Sequence, residues 1–123
     1  MFEMDKPKRL TRKRRDEQAQ AALQHLHAYL RAVYGQDAPR VLLYGSHARG
    51  EARDNSDVDL LLIYRHPINR GAEIRRLGSV LADLNLDYQL LISVLPIAEA
   101  EFQSATGPFW TNVRREGVSL EQF

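Results

Sequence analysis

The sequence predicts a small three-layer α/β domain, a sheet of three or four strands covered by helices. Three observations carry that expectation. Val41–Tyr44 and Leu60–Tyr64 are short, unbroken apolar runs, too short for helices and suited to buried strands. Two longer segments instead repeat apolar residues every three or four positions, the period of an amphipathic helix. Helical and strand-like segments also alternate along the chain, which layers helices on a sheet.

The 123 residues suffice for one domain with a modest core. An apolar share of 44% beside 27% charged residues is ordinary for a globular chain. No run approaches the roughly 18–20 apolar residues of a membrane span, and no apolar signal-peptide core opens the chain. A cytoplasmic setting without membrane contact is therefore expected. The chain has no cysteine, which excludes disulfides, thiol catalysis and cysteine-ligated zinc. The net charge of +1 hides an asymmetry. Residues 1–15 carry seven Lys/Arg against two acidic residues, leaving ten basic and fourteen acidic residues in the rest. The expected organisation is a basic, flexible arm over 1–15 and a single domain over 16–123. The arm, residues 6–15 above all, is a weak candidate for nucleic acid. It has no interleaved aromatic residue for base stacking, and a solvated lead-in to a helix explains it as well.

From about Thr11 the pattern turns helical. Ala19, Leu23, Leu26, Leu30 and Val33 form one stripe, and Gly35 is a stop signal. His25 and His27 are two apart, face different sides and make no metal pair. Val41–Tyr44 is the first strand, ending at Gly45. Residues 46–52 have room for one or two helical turns with Ser46 as N-cap. Arg53-Asp54-Asn55-Ser56 is turn chemistry. Val58 to Tyr64 is the second strand, apolar beyond Asp59 and so expected to be covered on both faces. Ile74, Leu77, Leu81 and Leu84 predict a helix over 69–84 that Asn85 breaks. Leu86–Val94 is then expected as a third strand, with Asp87 and Gln89 on one face near its start and Pro96 as its end. Residues 97–105 and 107–116 read as short helices. Trp110, the tyrosines and the leucine stripes are expected in the core.

The segment that concentrates chemistry runs from Gly45 to Leu60. A Gly-Ser turn at a strand end can offer backbone N–H groups to phosphate. Asp57 and Asp59, at i and i+2 on a strand, point to one face and can share a divalent cation. Either fragment alone is ordinary turn material. Ten residues apart and between two apolar strands they are far more specific, and Asp59 interrupts a stretch that should be buried, where a carboxylate needs a partner. Handling a nucleoside triphosphate needs charge stabilisation at phosphorus, commonly by two magnesium ions about 3.5–4 Å apart. Two carboxylates make such a site incomplete. A third should come from a neighbouring strand on the same face. Asp87, at the start of the expected third strand, is the candidate and would also draw off the acceptor's proton; Asp83, expected in a helix's last turn, is the rival.

Gly45-Ser46 followed after ten residues by Asp57-Val58-Asp59 resembles the signature of the DNA polymerase beta-like nucleotidyltransferase superfamily. Tyr44-Gly45-Ser46-His47-Ala48-Arg49-Gly50, Ser56-Asp57-Val58-Asp59-Leu60 and the late Asn112-Val113-Arg114-Arg115-Glu116-Gly117 resemble its minimal nucleotidyltransferases. The resemblance spans about residues 20–120 and implies a small mixed β-sheet flanked by helices. It implies Gly45, Ser46 and Arg49 on the nucleotide. It further implies Asp57, Asp59 and Asp87 as the catalytic and metal-binding residues, with two Mg2+ ions and ATP as substrate. Minimal nucleotidyltransferases often stand beside a HEPN-domain ribonuclease toxin and act as antitoxins by transferring AMP to its tyrosine hydroxyl. That activity is the first expectation here. A catalytically silent, nucleotide-binding antitoxin is the second. Transfer to a small molecule such as an aminoglycoside is a third, and would need a homo- or hetero-oligomer to hold the acceptor.

Overall fold

A computed structural model describes residues 12–45, 48 and 57–120, without the side chains of residues 12–16. Helix α1 spans Arg12–Tyr34, strand β1 Arg40–Tyr44, β2 Val58–Tyr64, helix α2 Arg70–Tyr88, and β3 Ile92–Ala98. Helices α3 (Glu99–Ser104) and α4 (Pro108–Glu116) and a two-residue strand β4 (Val118–Ser119) complete the chain. The sheet order is β3-β2-β1-β4, with β1 antiparallel to both neighbours and β2 parallel to β3. This is the mixed sheet expected. Helix α1 begins at Arg12, so the last residues of the expected arm are its first turn. The expected short helix over 46–52 and the Arg53–Ser56 turn fall outside the described residues, Ala48 excepted.

The central strand organises the packing. Val58, Leu60, Leu62 and Tyr64 of β2 point to one face and join Ala22, Leu23, Leu26 and Leu30 of α1 with Leu77 and Leu84 of α2. Leu61 and Ile63 point to the other and meet Phe102, Val113 and Trp110 of α3 and α4. Every β2 side chain but Asp59 is buried, so the unbroken apolar run does report two covered faces. At roughly 25 cal/mol per Å2 of apolar surface, each such leucine contributes about 2 kcal/mol. The ends of both helical stripes emerge from the core: Val33 and Ile74 are nearly half exposed.

The boundary between α2 and β3 departs from the expectation. Asn69 caps the helix by accepting the Ala72 N–H at 3.0 Å. The helix then passes through Asn85 to Tyr88 and ends on Gln89, left-handed at φ 55°. Asn85 does not break it, because its side chain is engaged elsewhere: Oδ1 accepts the Ile92 N–H at 2.9 Å, pinning the start of β3. The third strand is therefore Ile92–Ala98 rather than 86–94, and Asp87 sits in a helix. Pro96 lies inside that strand instead of ending it. On an edge strand this is permitted, and the Pro96 carbonyl faces away from β2 to accept Arg70 Nε at 2.8 Å.

Candidate functional site

A sharp turn closes on one end of the α3/α4 face of the sheet at Gly45, which follows Tyr44 at φ 80°. A left-handed residue suits glycine, and a second constraint disfavours any side chain: a Cβ here would stand 2.6 Å from Asp59 Oδ2, which would have to move. Gly45 and Asp59, one from each of the two sequence motifs, are thus in direct contact. The antiparallel register makes this possible by pairing Tyr44 with Asp59. Asp59 shares its face with Leu61 and Ile63, whose helical cover is α3 and α4. Where that cover ends the strand turns polar. Asp57 and Asp59 are both half-buried there, on the same side of β2 by the two-residue repeat.

Tyr44 and α4 wall the site. The Tyr44 phenol is pushed up from its usual value, by burial first and by the neighbouring Asp59 carboxylate second, so it stays protonated and neutral beside the carboxylates at physiological pH. Its ring meets Phe109 edge to face at 5.6 Å, and Phe109 meets Trp110 at 4.9 Å. Between them opens a cleft of about 340 Å3 lined by Tyr44, Gly45, Phe109, Asn112, Val113 and Glu116. Helix α4 is held over it at its C-terminal end. Arg114 donates to the carbonyls of Phe102 and Ala105, and Gly117 packs so tightly that a Cβ would stand 2.6 Å from the Val113 carbonyl and 2.9 Å from Leu42 Cδ2. A second, larger cleft of about 850 Å3 lies at the other end of β1 and β2, with a cationic rim of Arg31, Arg40 and Arg65.

The structure brings Gly45, Asp57 and Asp59 together. Ser46 and Arg49 lie outside the described residues. Asp87 is exposed near the last turn of α2, whose buried residues pack on the opposite face of the sheet, and Asp83 is exposed on the same helix. Among the described residues no three His, Cys, Asp or Glu side chains are placed to share a metal ion. Asp57, Asp59 and Asp87 therefore do not form the expected triad, and the reason is the longer helix. A single cation held by two carboxylates and a nucleotide's phosphates fits the residues described; a three-carboxylate centre drawn from those residues alone does not. Phe109, Asn112 and Glu116 were not singled out as site residues by the sequence reading. The resemblance of Asn112–Gly117 to the minimal nucleotidyltransferases was the signal, but it carried no expectation of a site role for these residues.

The sequence profile of the nucleotidyltransferase domain matches residues 34–116, from the end of α1 to the end of α4. No curated protein sequence matches. Among solved structures, a toxin-antitoxin complex with AMP-PNP has a chain that aligns with TM-score 0.54 and 16% identity, over 82% of this chain and 71% of its own. A candidate nucleotidyltransferase from Sulfolobus solfataricus aligns with TM-score 0.54 and 16% identity, over 88% and 80%. A mutant of the toxin-antitoxin MntA-HpeT aligns with TM-score 0.53 and 14% identity, over 79% and 71%. At these identities the structural matches establish a shared fold, while the profile covers two thirds of the sequence, including every described site residue. The chain belongs to the nucleotidyltransferase domain family.

Proposed function

We propose that the chain is a divalent-cation-dependent nucleotidyltransferase that takes ATP and modifies a HEPN-type ribonuclease toxin, acting as its antitoxin. The observation that carries the nucleotide reading is the contact of the Gly45 turn with the Asp59 carboxylate, beside Asp57. In this reading the turn's backbone, Ser46 and Arg49 meet the triphosphate. Asp57 and Asp59 hold a cation, Mg2+ by their all-oxygen chemistry, which neutralises phosphate charge when bound. The acceptor, a tyrosine hydroxyl of the partner, attacks the α-phosphorus. The new bond is O–P, the bond from the α-phosphorus to its bridging oxygen breaks, pyrophosphate leaves, and the phenol proton passes to water. The toxin partner is supported by the minimal-nucleotidyltransferase resemblance and by two fold neighbours that come from toxin-antitoxin complexes.

Incubation with MgATP and the toxin should add the mass of AMP to the toxin. That addition should vanish with Asp57→Ala plus Asp59→Ala. No addition by the unaltered chain, or an undiminished one by the double variant, would overturn transfer. A second reading, neutralisation by contact with the nucleotide merely bound, is favoured by the failure of Asp87 to join the other carboxylates. Under it, the double variant still neutralises the toxin.

A further inference from the structure

We infer that this chain's nucleotide site holds one divalent cation rather than two, because Ser93 of β3 and Leu91 just before that strand stand beside Asp59 and Asp57 where a carboxylate would be needed to hold a second. The inference rests on reading Asp57 and Asp59 as cation ligands, and it follows from the register of the sheet. Asp59 pairs with Ser93, Leu61 with Leu95 and Ile63 with Ile97. Leu61, Ile63, Leu95 and Ile97 share one apolar cluster, so this row of pairs lies on the face that carries the site. One step towards the site end, the Leu91 carbonyl accepts the Val58 N–H at 2.8 Å, which sets Leu91 beside Asp57 on the same row.

Neither residue replaces a carboxylate. Ser93 is exposed and neutral. Leu91 is 56% exposed, an aliphatic side chain left in water where burial gives no reason for it. On its other side Asp59 has Tyr44, a neutral phenol. Asp83 and Asp87 belong to α2, which packs on the opposite face. Mg2+ takes oxygen ligands at about 2.0–2.1 Å, and adjacent strands lie about 4.7–4.9 Å apart. An aspartate at 91 or 93 would therefore be within reach of a cation beside Asp57 and Asp59. The exposed position of both residues also makes the substitution tolerable to the fold.

The test counts bound Mn2+ by electron paramagnetic resonance in the presence of β,γ-imido ATP, on the chain itself and on Leu91→Asp and Ser93→Asp, each first checked for an unchanged melting transition. One Mn2+ per unaltered chain, and two in at least one aspartate variant, is the expected result. Transfer to the toxin should then rise about tenfold or more in that variant, as expected when a group able to take the acceptor's proton is added. Two Mn2+ ions in the unaltered chain would overturn the inference and point to Glu51 or Asp54, which lie outside the described residues. A count still at one in both variants would overturn it too. No Mn2+ in the unaltered chain would overturn it together with the reading of Asp57 and Asp59, as would a count unchanged by Asp59→Ala; the two failures are thereby told apart.

Discussion

Gly45→Ala tests whether the turn and the carboxylate work as one unit. An alanine at φ 80° carries a left-handed penalty of about 1–2 kcal/mol. Its Cβ would stand 2.6 Å from Asp59 Oδ2. Relieving that contact requires the Asp59 side chain to leave its rotamer, which costs about 0.5–1.5 kcal/mol. The total is about 2–3 kcal/mol. With an unfolding entropy of about 2.1 cal/mol/K per residue, this lowers the melting temperature by about 8–12 °C. The functional effect should exceed the thermal one, because the displaced group is the proposed cation ligand: Mn2+ affinity in the presence of nucleotide should fall at least about tenfold. Thermal denaturation by circular dichroism reads the first quantity and Mn2+ titration the second. A cycle with Asp59→Ala separates the parts. In that background only the backbone penalty remains, so the cost of Gly45→Ala should drop by about 1 kcal/mol. Equal costs in the two backgrounds, or unchanged Mn2+ affinity, would refute the contact as the element that sets Asp59.

Gly117→Ala should destabilise by about 1–3 kcal/mol through overpacking alone, since its φ of −64° is ordinary and the cost comes from Val113 and Leu42; a melting temperature within a degree of the parent would contradict it. The contribution of Tyr34 and Tyr64 to stability should be flat below about pH 9 and fall above about pH 10. Burial first, then contact with Glu73, pushes the Tyr34 phenol up; burial and the Glu73 charge push Tyr64 up further. The folded chain thus retains protons that the unfolded chain releases at that pH, and stability is lost as pH rises. Tyr64→Phe, which removes a 3.1 Å hydrogen bond to Glu73, should cost about 1 kcal/mol at pH 7 and blunt the alkaline fall measured by urea titration at pH 7 and pH 10.5.

Much of the fold was legible because burial and periodicity say the same thing in most elements. The Ala19-Leu23-Leu26-Leu30 stripe is the buried face of α1, and the unbroken run after Asp59 is a strand covered on both faces. What misled was punctuation. Asparagine and proline are stop signals only while their polar atoms have nothing better to do. Asn85 binds the Ile92 N–H, seven residues ahead, and so remains helical. Pro96 turns its nitrogen side to the open edge, a fact that depends on β3 being an edge strand and is invisible to any local rule.

That error in punctuation decides the chemistry as well. With a strand starting at Leu86, Asp87 falls beside Asp57 and Asp59 and the site looks complete. With the strand starting at Ile92, the same row carries Leu91 and Ser93, while Asp87 rides on a helix over the other face. A carboxylate's role thus turns on which face and which end of the sheet receives it, and a shift of a few residues changes both. The Gly45–Asp59 contact does not suffer this ambiguity, because it is fixed by the β1–β2 ladder, whose two strands were each marked by an apolar run. The part of the site built on that ladder is the part proposed to hold the nucleotide. The part that would complete the machinery for transfer was expected from β3, and there the chain offers a hydroxyl and a leucine.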